Sequence, residues 1–261
     1  MRKTLTAVLI CAAVSGMLLS GTMPGHATGM SVGVNTWYTT WDMSPSDGSE
    51  YDPALMYGPV IGLDLSKRWS LTSVFLTGNF KSPQAAGMTS DEINYRRYDS
   101  DTTLNYSINR WLKVFGGFKY IRYDVKMSSN LDAIGEVLLP FEGGDFRHYS
   151  YGPGAGIGIT LPLSNSLFVL GNFSLMYLFG NEAIPAIMKA WGRSPRQFVD
   201  MGFNTTLSLA YYLESYTTTV SAGVRYQYFK EKYENSDVWG RLKFFGVTVA
   251  AIYHFSLGDK E

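Results

Sequence analysis

Residues 245–257 read Phe-Gly-Val-Thr-Val-Ala-Ala-Ile-Tyr-His-Phe-Ser-Leu. Phe245, Val247, Val249, Ala251, Tyr253, Phe255 and Leu257 are apolar. Between them stand Gly246, Thr248, Ala250, Ile252, His254 and Ser256. Successive side chains of a strand point to opposite faces, so this spacing predicts one bulky apolar face and one mostly small or polar face. A soluble sheet would carry Lys, Glu and Arg on its second face, where it meets water. Here that face is nearly bare of charge, which suits the inside of a tight barrel.

The same alternation recurs upstream. In 55–65, Leu55, Tyr57, Pro59, Ile61, Leu63 and Leu65 alternate with Met56, Gly58, Val60, Gly62 and Asp64. In 149–161, Tyr149, Tyr151, Pro153, Ala155, Ile157, Ile159 and Leu161 alternate with Ser150, four glycines and Thr160. Segments 98–108, 203–213 and 218–228 behave alike. Segments 31–41, 70–80, 112–123 and 167–179 are strand-like with a noisier phase. That gives about ten strands, with eight and twelve as the alternative counts. Four connections are short: Ser66 to Trp69, Asn109 to Trp111, Pro162 to Ser166 and Glu214 to Thr217. The other five are long: 42–53, 81–97, 124–147, 180–202 and 230–241. Short turns at one end, long loops at the other and an even number of strands predict a transmembrane antiparallel up-and-down β-barrel. Pro59 and Pro153 lack the N–H a closed ladder uses; they are expected near the loop ends of their strands, absorbed by a bulge.

Ring side chains fall into two belts, as membrane interfaces select. Tyr57, Tyr98, Tyr149, Tyr151, Tyr177 and Tyr226 lie toward the loops. Trp69, Trp111, Tyr211, Tyr253 and Phe255 lie toward the turns. The composition fits: 17% charged and 15% aromatic, with 22 basic and 22 acidic residues in balance. That balance excludes an electrostatic nucleic-acid binder.

Residues 1–27 read as a signal peptide. Arg2 and Lys3 precede the apolar run Leu5 to Cys11, and small residues at Gly25 and Ala27 place cleavage near Ala27. Export through the Sec pathway would leave residues 28–261 as one barrel domain in the bacterial outer membrane. The single Cys leaves with the leader, so no disulfide framework is expected.

The pattern over residues 30–257 resembles the small outer-membrane β-barrel proteins of Gram-negative bacteria. Tyr253-His254-Phe255-Ser256-Leu257 looks like the terminal signal read by the barrel-assembly machinery, with Tyr253 and Phe255 as its aromatic marks; it departs by continuing to Glu261. The resemblance implies the outer-membrane bilayer and lipopolysaccharide as surroundings.

Candidate function begins in the lumen, which at this strand number should be narrow and polar. Counting outward from the turn at Asn109–Trp111 sets Asp101 opposite Lys119, on the face that carries Asn105 and Ser107. Arg225 lies at a similar height, so Asp101, Lys119 and Arg225 are expected to form a lumen charge cluster. It is either a plug of paired charges or a selectivity ring in a small pore. The main reading is therefore a structural or adhesive barrel, or a narrow channel. The second reading is a surface hydrolase. Arg147-His148-Tyr149-Ser150 is similar to the His-x-Ser element of lipid A deacylases, making His148 and Ser150 candidate base and nucleophile. Asp99-Ser100-Asp101 resembles the Asp-x-Asp element of omptin-type proteases, making Asp99 and Asp101 catalytic candidates. No cofactor is expected, and no metal site, because His148 and His254 lie at opposite ends of the barrel and no thiol remains. Loops 124–147 and 180–202 carry the apolar stretches Leu131 to Phe141 and Ala183 to Trp191, which mark a candidate surface for a ligand or partner.

Overall fold

The structure, a computed structural model, describes residues 29–44, 49–82, 93–126, 146–183, 194–234, 237 and 239–256. The leader, Leu131 to Phe141, most of Ala183 to Trp191 and residues 257–261 lie outside the described residues. Ten strands follow in chain order: β1 Gly29–Ser44, β2 Ser49–Asp64, β3 Trp69–Ser82, β4 Ile93–Ser107, β5 Leu112–Lys126, β6 Phe146–Pro162, β7 Leu167–Ala183, β8 Gln197–Leu213, β9 Thr218–Tyr233 and β10 Trp239–Ser256. Each pairs antiparallel with its sequence neighbours, and β1 pairs with β10, so the sheet closes as an up-and-down barrel. The ten-strand, all-β expectation is correct.

Side chains organise the short turns. Ser66 Oγ accepts from the backbone N–H groups of Arg68 and Trp69, and Ser164 Oγ from that of Leu167. Asn109 Oδ1 accepts from Trp111 and Leu112 at 2.8 and 2.9 Å. These local bonds satisfy turn donors that no strand reaches. The β8–β9 turn instead uses a 3₁₀ turn, Glu214–Tyr216, and ends on Thr217 at φ 45°.

The two prolines sit differently from expectation. They are not at loop ends, because β2 and β6 extend several residues further toward the loops. Nor does a bulge absorb them. Tyr57 pairs with Thr77 and Val60 with Val74; Tyr151 pairs with Phe179 and Gly154 with Met176. Register is unchanged across each gap, where the ladder opens over Gly58–Pro59 and Gly152–Pro153. At both gaps the strands approach too closely for a side chain: a Cβ on Gly58 would lie 2.0 Å from the Phe75 carbonyl oxygen, and one on Gly152 would lie 2.2 Å from that of Tyr177. The register shift of β1 against β2 lies elsewhere, between Thr39 and Trp41.

The outer surface is an apolar band. Val34, Leu55, Ile61, Ile157, Leu175, Leu207 and Val247 are all exposed upon it. Trp69, Trp111, Tyr211, Tyr253 and Phe255 ring its turn side, with Tyr57, Tyr151 and Tyr177 toward its loop side. Beyond the loop-side ring the outward positions become charged: Arg96, Arg122, Asp124, Lys230, Lys232 and Arg241. The strands therefore continue past the band, and their last turns of chain toward the loops stand clear of it.

Candidate functional site

The lumen has two halves of different chemistry. Its turn-side half is polar, as expected. A cavity of about 240 Å³ there is lined by Asn35, Asn105, Asn172, Asn204, Lys113 and Arg225, among others. The loop-side half mixes a large apolar cluster with buried polar and charged groups. Trp37, Trp41, Phe80, Tyr123, Phe229 and Phe244 point inward and are buried, together with Met56, Leu76 and Leu178. Trp41 stacks on Tyr123 at 5.2 Å and on Phe244 at 5.5 Å, and meets Phe80 edge-on at 5.5 Å. These rings pack against one another inside the barrel. The expectation of a wholly polar lumen is thus corrected for this half. The cause is visible in β1, β3 and β5, whose phase was noisy: both faces are apolar, one toward the band and one toward the cluster.

Between the two halves lies a layer of charge. Asp101 and Lys119 are cross-strand partners in register. Lys119 donates to Asp99 Oδ1 at 2.6 Å and lies 3.6 Å from Asp101 Oδ2. Arg97 donates to Asp99 Oδ2 at 2.6 Å and to Gln227 Oε1. Its guanidinium lies 3.9 Å from the centre of the Phe244 ring, so the charge layer docks onto the aromatic cluster. Arg225 donates to Asn204 at 2.8 Å and covers Trp37 at 4.4 Å, within electrostatic reach of Asp99 and Asp101. Asp101, Lys119 and Arg225 therefore share one neighbourhood whose centre is Asp99.

A second cluster sits at the loop-side mouth, above the apolar band. His148 Nε2 lies 2.9 Å from Glu231 Oε2, and its Nδ1 lies 3.9 Å from Glu182 Oε1. Glu182 accepts from Tyr233 at 2.5 Å and from Arg196 Nε at 3.0 Å. The His148 ring stacks on Phe198 at 4.1 Å and 14°. Gly180 makes that stack possible, since a Cβ there would lie 2.0 Å from the Phe198 ring. Asp200 completes the group: its Oδ1 has no hydrogen-bond partner among the described residues, and it is 2% exposed. Burial opposes the His148 charge, yet the Glu231 carboxylate and the hydrogen bonds of Glu182 and Glu231 push its pKa up to about 10. Burial likewise opposes charge on Glu182, but hydrogen bonds from His148, Tyr233 and Arg196 hold it down at about 2.

The residues of the two hydrolase readings have partners of their own. His148 and Ser150 share the inner face, as their spacing requires, and both imidazole nitrogens of His148 face carboxylates. Both residues point into the barrel, away from a lipid outside it. Asp99 is engaged by Arg97 and Lys119, each at 2.6 Å. Tyr253 and Phe255 lie on the outer face of β10 in edge contact at 4.6 Å.

The mouth cluster escaped sequence reasoning. Glu182, Asp200 and Glu231 fall in segments read as loops, yet belong to β7, β8 and β9. The expectation of no metal site counted histidines and thiols but not carboxylates. His148, Asp200 and Glu231 are all buried, with ligand atoms within 4.8 Å of one another.

The sequence matches no family model and no curated protein. Among solved structures the chain is similar to the outer membrane protease OmpT of Escherichia coli, at a TM-score of 0.54 and 12% identity over 90% of this chain and 99% of that one. It is similar, more distantly, to the beta domain of the Bordetella autotransporter BrkA, at 0.47 and 11% over 89% and 100%. The translocator domain of the autotransporter NalP from Neisseria meningitidis gives 0.43 and 14% over 96% and 98%. The likeness to OmpT is one of fold, a closed antiparallel β-barrel.

Proposed function

We propose that this chain is a sealed outer-membrane barrel whose lumen is a structural plug and whose working surface is its long-loop mouth. The single observation that carries this reading is the buried ring cluster around Trp41 and Phe244, docked through Arg97 onto the charge layer below. A selectivity ring needs a water-filled path, and packed rings deny one. Of the expected roles, structural or adhesive is favoured over narrow channel and over hydrolase.

Lipopolysaccharide is the proposed surface neighbour. The outward cations Arg96, Lys230, Lys232 and Arg241 stand where anionic headgroups would meet the barrel, just above its apolar band. Export through the Sec pathway, cleavage near Ala27 and recognition of Tyr253 and Phe255 by the assembly machinery belong to the same reading.

Outer-membrane fractions run on gels with and without boiling test it. A folded barrel migrates anomalously before boiling and normally after it. Recovery in the soluble periplasmic fraction, or migration unaffected by boiling, would contradict the proposal.

A further inference from the structure

Among the described residues the mouth cluster holds three carboxylates, Glu182, Asp200 and Glu231, beside two basic side chains, His148 and Arg196. Among the described residues, Glu182 is held by Arg196 and Tyr233, Glu231 meets the imidazole of His148 at 2.9 Å, and no ion pair reaches Asp200. Burying carboxylates without matched partners is costly unless a proton or a cation joins them. Asp200, whose Oδ1 is buried and has no hydrogen-bond partner among the described residues, belongs to a triad in which one ligand atom each of His148, Asp200 and Glu231 lies within 4.8 Å of the others.

We propose that His148, Asp200 and Glu231 form a binding site for a divalent transition metal of the zinc class. One imidazole nitrogen with two carboxylate oxygens is a donor set that zinc accepts, whereas calcium and magnesium take oxygen alone. The surroundings fit the same chemistry. Glu182 faces the other imidazole nitrogen, at 3.9 Å, and is itself fixed by Arg196 and Tyr233, the outer-sphere carboxylate that orients a metal-bound histidine. Phe198 clamps the imidazole plane at 4.1 Å, and Tyr123 lies against it at 5.8 Å. Strands β6, β8 and β9 each supply one ligand from a closed sheet, so the three donors are held by rigid elements rather than loops. The inference stands independently of whether the barrel conducts.

The test is calorimetric titration of the full folded barrel in detergent, stripped with chelator, against zinc chloride. The site binds one zinc per barrel. Asp200→Asn and Glu231→Gln, near-isosteric changes, each weaken binding by at least about tenfold; Glu182→Gln weakens it by about 10–100-fold, and His254→Gln, at the opposite end, leaves it unchanged. Gel migration with and without boiling identifies variants that keep the fold. X-ray absorption on the unaltered protein reads the first coordination sphere directly and finds an imidazole nitrogen at about 2.0–2.1 Å. Four results would overturn the site: no zinc uptake, binding untouched by both carboxylate changes, binding lost in His254→Gln, or a coordination sphere without imidazole.

Discussion

Lys119 donates to Asp99 at 2.6 Å, although Asp101 is its partner across the strand pair and lies at 3.6 Å. The diagonal contact wins because Asp99 is buried at 2% exposure and also holds Arg97, whereas the Asp101 side chain is 29% exposed. Removing the Asp99 charge strands two buried cations. Asp99→Asn should therefore destabilise the barrel by about 3–5 kcal/mol. Asp101→Asn should cost only about 0–1 kcal/mol. Equilibrium unfolding in urea from lipid vesicles measures both, and the reverse order would contradict the assignment of Asp99 as the hub.

Two glycines on β7 predict opposite outcomes for the same change. A Cβ on Gly180 would meet the Phe198 ring at 2.0 Å, while Gly171 has nothing within 4 Å. Gly180→Ala pushes Phe198 off His148 and should cost about 1–3 kcal/mol. Gly171→Ala should stabilise by about 0.5–1 kcal/mol, since alanine loses less freedom on folding. The same unfolding assay compares the two directly. The stacked ring should also shift the His148 imidazole resonances in the wild type and cease to do so in Gly180→Ala.

Thr217 holds φ at 45° without being glycine. The left-handed region costs a branched residue about 1–2 kcal/mol. Thr217→Gly relieves that strain while adding freedom to the unfolded chain, so a net gain of up to about 1 kcal/mol is expected. A slower-folding or less stable variant would contradict the turn geometry.

The outward collar predicts dependence on anionic headgroups. Lys230 and Lys232 lie on β9 just beyond outward-facing Tyr226 and Tyr228. The double change Lys230→Gln and Lys232→Gln should lower retention of lipopolysaccharide on the purified barrel, with the loss greatest at low salt. Equal retention at every ionic strength would remove the collar from the account.

The barrel was legible in the sequence because a lipid-facing strand must alternate, and alternation survives wherever one face meets the band. Asp101 could be set against Lys119 because the Asn109 turn fixes the register of its hairpin. What stayed hidden has local causes. Arg97 stands beside outward Arg96, and Glu231 between outward Lys230 and Lys232, so both faces there read as loop; Asp200, between outward Val199 and Met201, lies in a stretch without a clean alternation. Trp41 and Phe80 were hidden differently. They point into a packed interior, and two apolar faces look like broken phase rather than a plug. The prolines were misplaced because the ladder absorbs them through Gly58 and Gly152, a close approach that only the paired strands reveal.

The central claim is that the ring cluster seals the lumen. Its most direct measurement is ion conductance of the purified barrel reconstituted in planar bilayers, compared with the double variant Trp41→Ala and Phe244→Ala. The account predicts no stepwise conductance from the unaltered protein and the appearance of small channels when the rings are removed. Discrete channels in the unaltered protein, with ion preference altered by Asp101→Asn, would contradict it.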